Sequence, residues 1–248
     1  YRVTPGYPPE DQFWPSPLPQ RATPLAAALD LLASSIRRGA TIVAIGPYTN
    51  LRLLDQQQPG ILRDADLYLV GGSLFPPRAG YPQWGTDKDW NVQLDVESAK
   101  YVFEHANPTV LPMPVTLETY LRRAYLPSLW AGDAVARLVA RQAEAFATLF
   151  ENEARLGQTH AKLPDDTINF QYDPLACAIA LGWREGVDIR ELPLRFTVRD
   201  GWLHEDVDPA GKATKVVMSA AGDAFSQLWL DIVAAPPYPL LPQRDRAG

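Results

Sequence analysis

Three short stretches of this 248-residue chain concentrate side chains that can do chemistry. Thr49-Asn50 follows a Gly46-Pro47-Tyr48 turn. Asp87-Lys88-Asp89-Trp90-Asn91 closes a long polar stretch. Tyr172-Asp173 stands just before an apolar run. Carboxylate, amide and hydroxyl oxygens, with no His or Cys among them, suit a hard cation such as calcium or the hydroxyls of a polyol. Each group also has a plain structural use: Asn50 and Asp173 as helix caps, Asp87 and Asp89 as solvated loop charges. The residue types alone leave both uses open.

Motifs of other reaction classes do not occur. The chain has no GxGxxG, no Walker A loop, no GxSxG elbow and no HExxH. His105, His160 and His204 lie far apart and read as surface or helix-end residues. Cys177, the one cysteine, falls in an apolar helical run and is expected in the core; it permits neither an intrachain disulfide nor a CxxC metal site. A net charge of -6, a pI near 5.1 and no basic cluster argue against nucleic acid or an anionic membrane as partner. No apolar run reaches the roughly 18 residues that span a bilayer. The N-terminal YRVTPGYPPEDQFWPSPLPQ lacks the parts of a signal peptide, so the cytoplasm is the expected location. The first residue is Tyr rather than Met, which reads as a processed or incomplete chain.

These groups need elements to hold them. Residues 1–23 are rich in Pro and read as an irregular segment. Thr23-Pro24 reads as a cap with Pro opening a helix through Leu25, Leu29, Leu32 and Ile36, which Gly39 ends. TIVAI (residues 41–45) and Asp66–Val70 read as buried strands, with a helical segment from Leu51 to Gln56 between them. The loop from Ser73 to Trp90 is long, and long loops in compact domains are commonly functional. Asp95 should cap a helix from Val96 to about His105, and Thr109–Met113 is a third strand. Helices are expected from Leu117 to Arg123, from Ala134 to about Glu153, from Asp173 to about Leu181, and from Ala221 to Val233. Strands are expected near Leu192–Arg199 and Lys215–Met218. Strands alternating with helices imply one α/β domain over residues 1–248, with an open, mostly parallel sheet flanked by helices.

Five ordered pieces, IVAIGPYTNL, LYLVGGSLF, DWNVQLDVESAKYVF, LPMPVT and YDPLACA, resemble the inosine–uridine-preferring nucleoside hydrolases over roughly residues 20 to 235. The resemblance implies hydrolysis of the N-glycosidic bond of a ribonucleoside to ribose and free base, with calcium gripping the ribose hydroxyls and a water. It implies Thr49 as a calcium ligand through its backbone carbonyl and Asp173 as a calcium ligand through its carboxylate. It implies Asn91 on the ribose hydroxyls, with Asp89 where the family has glutamate and Trp90 between them. Tyr172 stands on the leaving-group side, where many members carry histidine. Trp84, Trp90 and Tyr172 are candidates to stack on the base, with packing of their own loops as the alternative. Pro114 replaces an aspartate of the family's P-L-D-V-T.

The family's N-terminal signature, D-x-D-x-x-x-D-D, supplies further calcium ligands and the general-base aspartate, and this sequence has no counterpart. Asp11 lies in the Pro-rich segment and Asp30 inside a helix. The first strand of the family sheet is therefore expected to be missing. Calcium takes six to eight oxygens, so Thr49 and Asp173 alone imply weak binding. Two readings follow: part of a nucleoside hydrolase completed by upstream sequence or a partner chain, or a non-catalytic relative that binds nucleosides or serves as a partner subunit. A homo-oligomer fits either.

Overall fold

A computed structural model describes residues 24–235. The expected irregular segment 1–23 and the cap at Thr23 lie outside the described residues. The elements in chain order are α1 (Leu25–Arg37), β1 (Ile42–Ala44), α2 (Thr49–Gln57), β2 (Leu67–Val70), α3 (Trp90–Gln93), α4 (Val96–His105), β3 (Thr109–Leu111), α5 (Met113–Thr116) and β4 (Leu121–Arg122). There follow α6 (Leu126–Ala131), α7 (Ala134–Leu149), α8 (Leu156–Thr159), β5 (Thr167–Asn169), α9 (Tyr172–Ala180), β6 (Asp188–Arg199), β7 (Trp202–Val207), β8 (Lys212–Ser219) and α10 (Gly222–Val233).

The main sheet has six strands in the order β1-β2-β3-β8-β6-β7. β1, β2, β3 and β8 run parallel, and the β6–β7 hairpin adds two antiparallel strands at one side. The fold is α/β with a mostly parallel central sheet flanked by helices, as the alternation of elements implies. Strand side chains alternate between two cores, the pattern of a sheet covered on both faces. Leu67 and Leu69 of β2, Val110 of β3 and Val216 of β8 pack with Leu51 of α2 and with Ala99, Val102 and Phe103 of α4. Val70, Leu111 and Val217 pack with Leu175, Ala176 and Ile179 of α9 and Phe225 of α10. β4 and β5 form a separate antiparallel pair beside α7.

Several sequence expectations are met closely. Asp95 accepts the Ser98 amide at the start of α4, and Gly39 follows α1 with φ +75°. Others need correction. Pro24 is the N-cap of α1 rather than its first helical residue. The helix expected over Leu117–Arg123 does not form: α5 ends at Thr116, and Leu121–Arg122 is the strand β4. Tertiary partners override local propensity there. The Tyr120 amide donates to Ser226 Oγ, and the Tyr120 hydroxyl donates to Asp223, both on α10. Cys177 is half-buried rather than in the core, one helical turn after Asp173. β1 pairs with β2 and forms one edge of the described sheet. No helix among the described residues is long and apolar enough to cross a membrane.

Candidate active site

In open α/β sheets ligands sit beyond the carboxyl ends of the strands. Here the ends of β1 and β2 (Ile45, Val70, Gly71), the start of α9 and the loop before α3 enclose a cleft of about 800 Å³. Asp89, Trp90, Asn91, Tyr172, Asp173 and Trp84 all line it, so the fold brings together residues that the sequence scatters widely. Thr49 does not. It is the first residue of α2, and its hydroxyl donates to Asp95 at the start of α4.

The floor is the turn after β2. Asp89 sits beneath it, only 5% exposed. Its Oδ1 accepts the Val92 amide and so caps α3, and its Oδ2 accepts the Gly72 amide. Asp89 is therefore not a solvated loop charge. Burial pushes its carboxyl up to about 6, although those amide hydrogen bonds pull the other way. Asn91 donates Nδ2 to the Val70 carbonyl at 2.9 Å, which leaves its own side-chain oxygen as the acceptor available to a ligand.

Asp173 has a different setting. It lies in the first turn of α9 but caps nothing. Burial raises its pKa to about 6, and no hydrogen bond or neighbouring cation offsets that burial. A half-buried carboxylate without a partner among the described residues, standing in a cleft, is the group most ready to take a ligand hydroxyl or proton. Asn50, the other residue considered as a cap, is the exposed second residue of α2.

Aromatic rings make up much of the wall. Trp84 meets Phe170 edge-on at 5.6 Å, and Phe170 meets Tyr172 in the same way at 5.6 Å. Phe146 and Phe150 contribute from the end of α7, with Asn152 and Asn169 among them. Sequence reading did not single out Phe146, Phe150, Asn152 or Asn169, because nothing in their spacing ties the end of one helix to a loop and strand elsewhere. None of the three histidines lines the cleft. His105 stacks on Tyr101, and His160 bonds to the Leu156 carbonyl.

A second buried carboxyl was also missed. Glu205 on β7 accepts the Ser73 amide at 3.2 Å through Oε2. Burial, then the charge of Asp89, pushes it up to about 8. The available signal was alternation: Leu203 and Glu205 share one face of their strand, so a Glu stands where the pattern calls for an apolar residue.

The described residues do not fit a calcium site. Among them no group of three or more His, Cys, Asp or Glu side chains could hold a metal ion. Asp173 is one carboxylate, Asp89 is buried beneath the turn with each oxygen accepting a backbone amide, and Thr49 lies outside the cleft lining. Six to eight oxygens are not assembled there.

Comparison with known proteins gives a consistent result. The family described as inosine-uridine preferring nucleoside hydrolase matches residues 7–227. The pyrimidine-specific ribonucleoside hydrolase RihA of Citrobacter koseri is 30% identical over 155 residues, covering 60% of this chain and 48% of that protein. The protein of the same name from Salmonella arizonae is 29% identical over 207 residues, covering 81% of this chain and 57% of its own length. The chain spans about half the length of the curated relatives it matches. Among solved structures, the plant nucleoside hydrolase PpNRh1 has a TM-score of 0.70 at 17% identity, covering 91% of this chain and 72% of that one. The purine-preferring ribonucleoside hydrolase from Gardnerella vaginalis has a TM-score of 0.66 at 19% identity, covering 88% and 68%.

Proposed function

The chain belongs to the inosine-uridine preferring nucleoside hydrolase family, and from that premise we propose that its cleft binds a ribonucleoside and contributes to hydrolysis of the N-glycosidic bond. The observation that carries this reading is the Asp173 carboxylate, without a hydrogen-bond partner among the described residues, in a cleft walled by Trp84, Phe170 and Tyr172. The aromatic rings suit the base, because every base presents a π-face. The Asp173 carboxylate and the Asn91 oxygen suit the sugar hydroxyls, which donate to both.

In the reaction, water adds to the anomeric carbon, the carbon–nitrogen bond breaks, and the base leaves with a proton. Asp173 accepts a proton from water or holds a hydroxyl in place. The Tyr172 hydroxyl, near the aromatic wall, donates a hydrogen bond to the departing base. Groups from outside residues 24–235, or from a partner chain, would have to complete a calcium site.

A second reading is a nucleoside-binding member of the family that does not hydrolyse. It is favoured by Asp89, whose two oxygens are committed to backbone amides. Titration calorimetry of uridine and inosine with the full chain, beside an assay for released ribose, separates the two. Binding with ribose release supports hydrolysis. Binding alone supports the second reading. No binding of either nucleoside overturns both.

A further inference from the structure

Four side chains converge beneath the turn that ends β2. Asp89 accepts the Gly72 amide, and Glu205 accepts the next amide, that of Ser73. The Tyr48 hydroxyl and the Asn91 amide both donate to the Val70 carbonyl. The turn has no room for side chains of its own. Gly71 has φ +145°, and a Cβ there would stand 2.8 Å from the Tyr48 hydroxyl and 2.9 Å from Val92. Gly72 has φ +101°.

Glu205 reaches this turn from β7, the far strand of the hairpin. Gln93 fixes that strand by bonding both the amide and the carbonyl of Leu203, at 3.0 and 2.9 Å. Glu205 is 5% exposed, as is Asp89, and its Oε1 has no hydrogen-bond partner among the described residues. Neither carboxyl makes an ion pair among the described residues. The charged groups acting on Glu205 are Asp89, at the start of α3, and Asp206, its neighbour on β7; Tyr48, before α2, lies within the influence of both Asp89 and Glu205. Every one of these is acidic. Two buried anions that act on each other repel, and a proton on one of them relieves the repulsion. Oε1 of Glu205, the oxygen that receives no donor, is the atom free to carry it.

We propose that Glu205 is a positioning residue of the cleft: as the protonated partner of ionised Asp89 it clamps the Gly72–Ser73 amides and, through Val70, fixes the orientation of Asn91. Its bearing on substrate rests on the nucleoside reading above. The clamp itself does not.

The test is carboxyl and amide NMR on the full chain, as wild type, Glu205→Gln and Glu205→Leu, with uridine affinity measured in parallel. In the wild type the Glu205 carboxyl is protonated at neutral pH, and the Ser73 amide and Asn91 side-chain amide resonances move together as it ionises. Glu205→Gln, an isosteric neutral amide, keeps the neutral-pH positions of both resonances and abolishes that joint movement. Glu205→Leu speeds exchange of the Ser73 amide about tenfold, the size expected for one lost hydrogen bond, shifts the Asn91 side-chain amide resonances, and weakens uridine binding. If Glu205→Leu does not fold, Glu205→Gln carries the test. A Glu205 carboxyl already ionised in mildly acidic solution overturns the proposal. So do Asn91 resonances indifferent to its titration. Failure of both uridine and inosine to bind the wild type would refute the nucleoside reading and leave the resonance test standing.

Discussion

Tyr48 and Asn91 donate to one and the same oxygen, the carbonyl of Val70, each across 2.9 Å. A carbonyl with two lone pairs is fully satisfied by two donors. Asn91 is thus held by its nitrogen and faces a ligand as an acceptor, which is the polarity that sugar hydroxyls need.

Asn91→Asp reverses that polarity. A carboxylate in place of the amide would set an acceptor against the Val70 carbonyl and add a third acid near Asp89 and Glu205. The expected loss is about 1–3 kcal/mol of stability, read as a lower urea midpoint with an unchanged slope. An unaltered midpoint would mean that the Asn91–Val70 bond contributes nothing.

Asp173→Asn should separate binding from stability. The carboxylate has no hydrogen-bond partner among the described residues to lose. Nucleoside affinity should fall at least tenfold, about the size of one charge-assisted hydrogen bond, while the melting temperature at neutral pH holds or rises. A clear drop in melting temperature would show that the carboxylate has a structural partner.

The same group sets a pH dependence. Burial holds Asp173 and Asp89 up to about 6 in the folded chain, against about 3.9 for an unfolded aspartate. The folded state therefore binds these protons more tightly. Their contribution to stability is full below the unfolded value and is lost as pH rises through the folded value. These two groups should lower the melting temperature between about pH 4 and pH 6.5, and Glu205, held up to about 8, carries the fall to higher pH. Asp173→Asn should flatten that fall. A rise in the wild-type melting temperature over this window would refute the burial of both groups.

Gly222 opens α10 against the chain at Glu118. A Cβ there would lie 2.0 Å from the Glu118 carbonyl oxygen and 2.7 Å from its carbon. Both are backbone atoms, so no side-chain rotation relieves the overlap. Gly222→Ala should cost about 1–3 kcal/mol by chemical denaturation, although alanine is the better helix former.

Calcium should have little effect on this chain. A ligand stabilises in proportion to the logarithm of its concentration over its dissociation constant. Millimolar calcium should shift the melting temperature by less than about 1 °C, since the described residues gather no cluster of ligands. A shift of several degrees would place the missing oxygens elsewhere in the chain or in a second copy.

The sequence carried the α/β alternation because strand and helix periodicities are local signals. The Asp95 cap and the Gly39 stop were readable for the same reason. The small strand pair and β7 are not among the strands the sequence predicts. Leu121–Arg122 reads as helical until α10 supplies partners for Tyr120. β7 is short and charged, yet it had a signal: Asp200 at φ +51° and Gly201 at φ +77° form the Asp-Gly turn of a two-residue hairpin. At the site, residue types placed Thr49, Asp89, Asn91, Tyr172 and Asp173 in one reading, and the fold sets all of them but Thr49 on one cleft. What residue types could not show was commitment. Asp89 and Asp173 look alike in sequence, but one is held by backbone amides and the other has no hydrogen-bond partner among the described residues, and that difference arises only from packing.

The sheet order also sets an order of assembly. β8 is the last strand in the described chain, yet it lies between β3 and β6. The β6–β7 hairpin can close on its own local contacts, but it joins the parallel strands only once β8 has filled the gap, a long-range pairing that is slow to form. Glu205 rides on that hairpin. The Glu205 contact with the Ser73 amide therefore depends on β8, so the last strand of the described chain is what ties the hairpin carboxyl to the turn after β2.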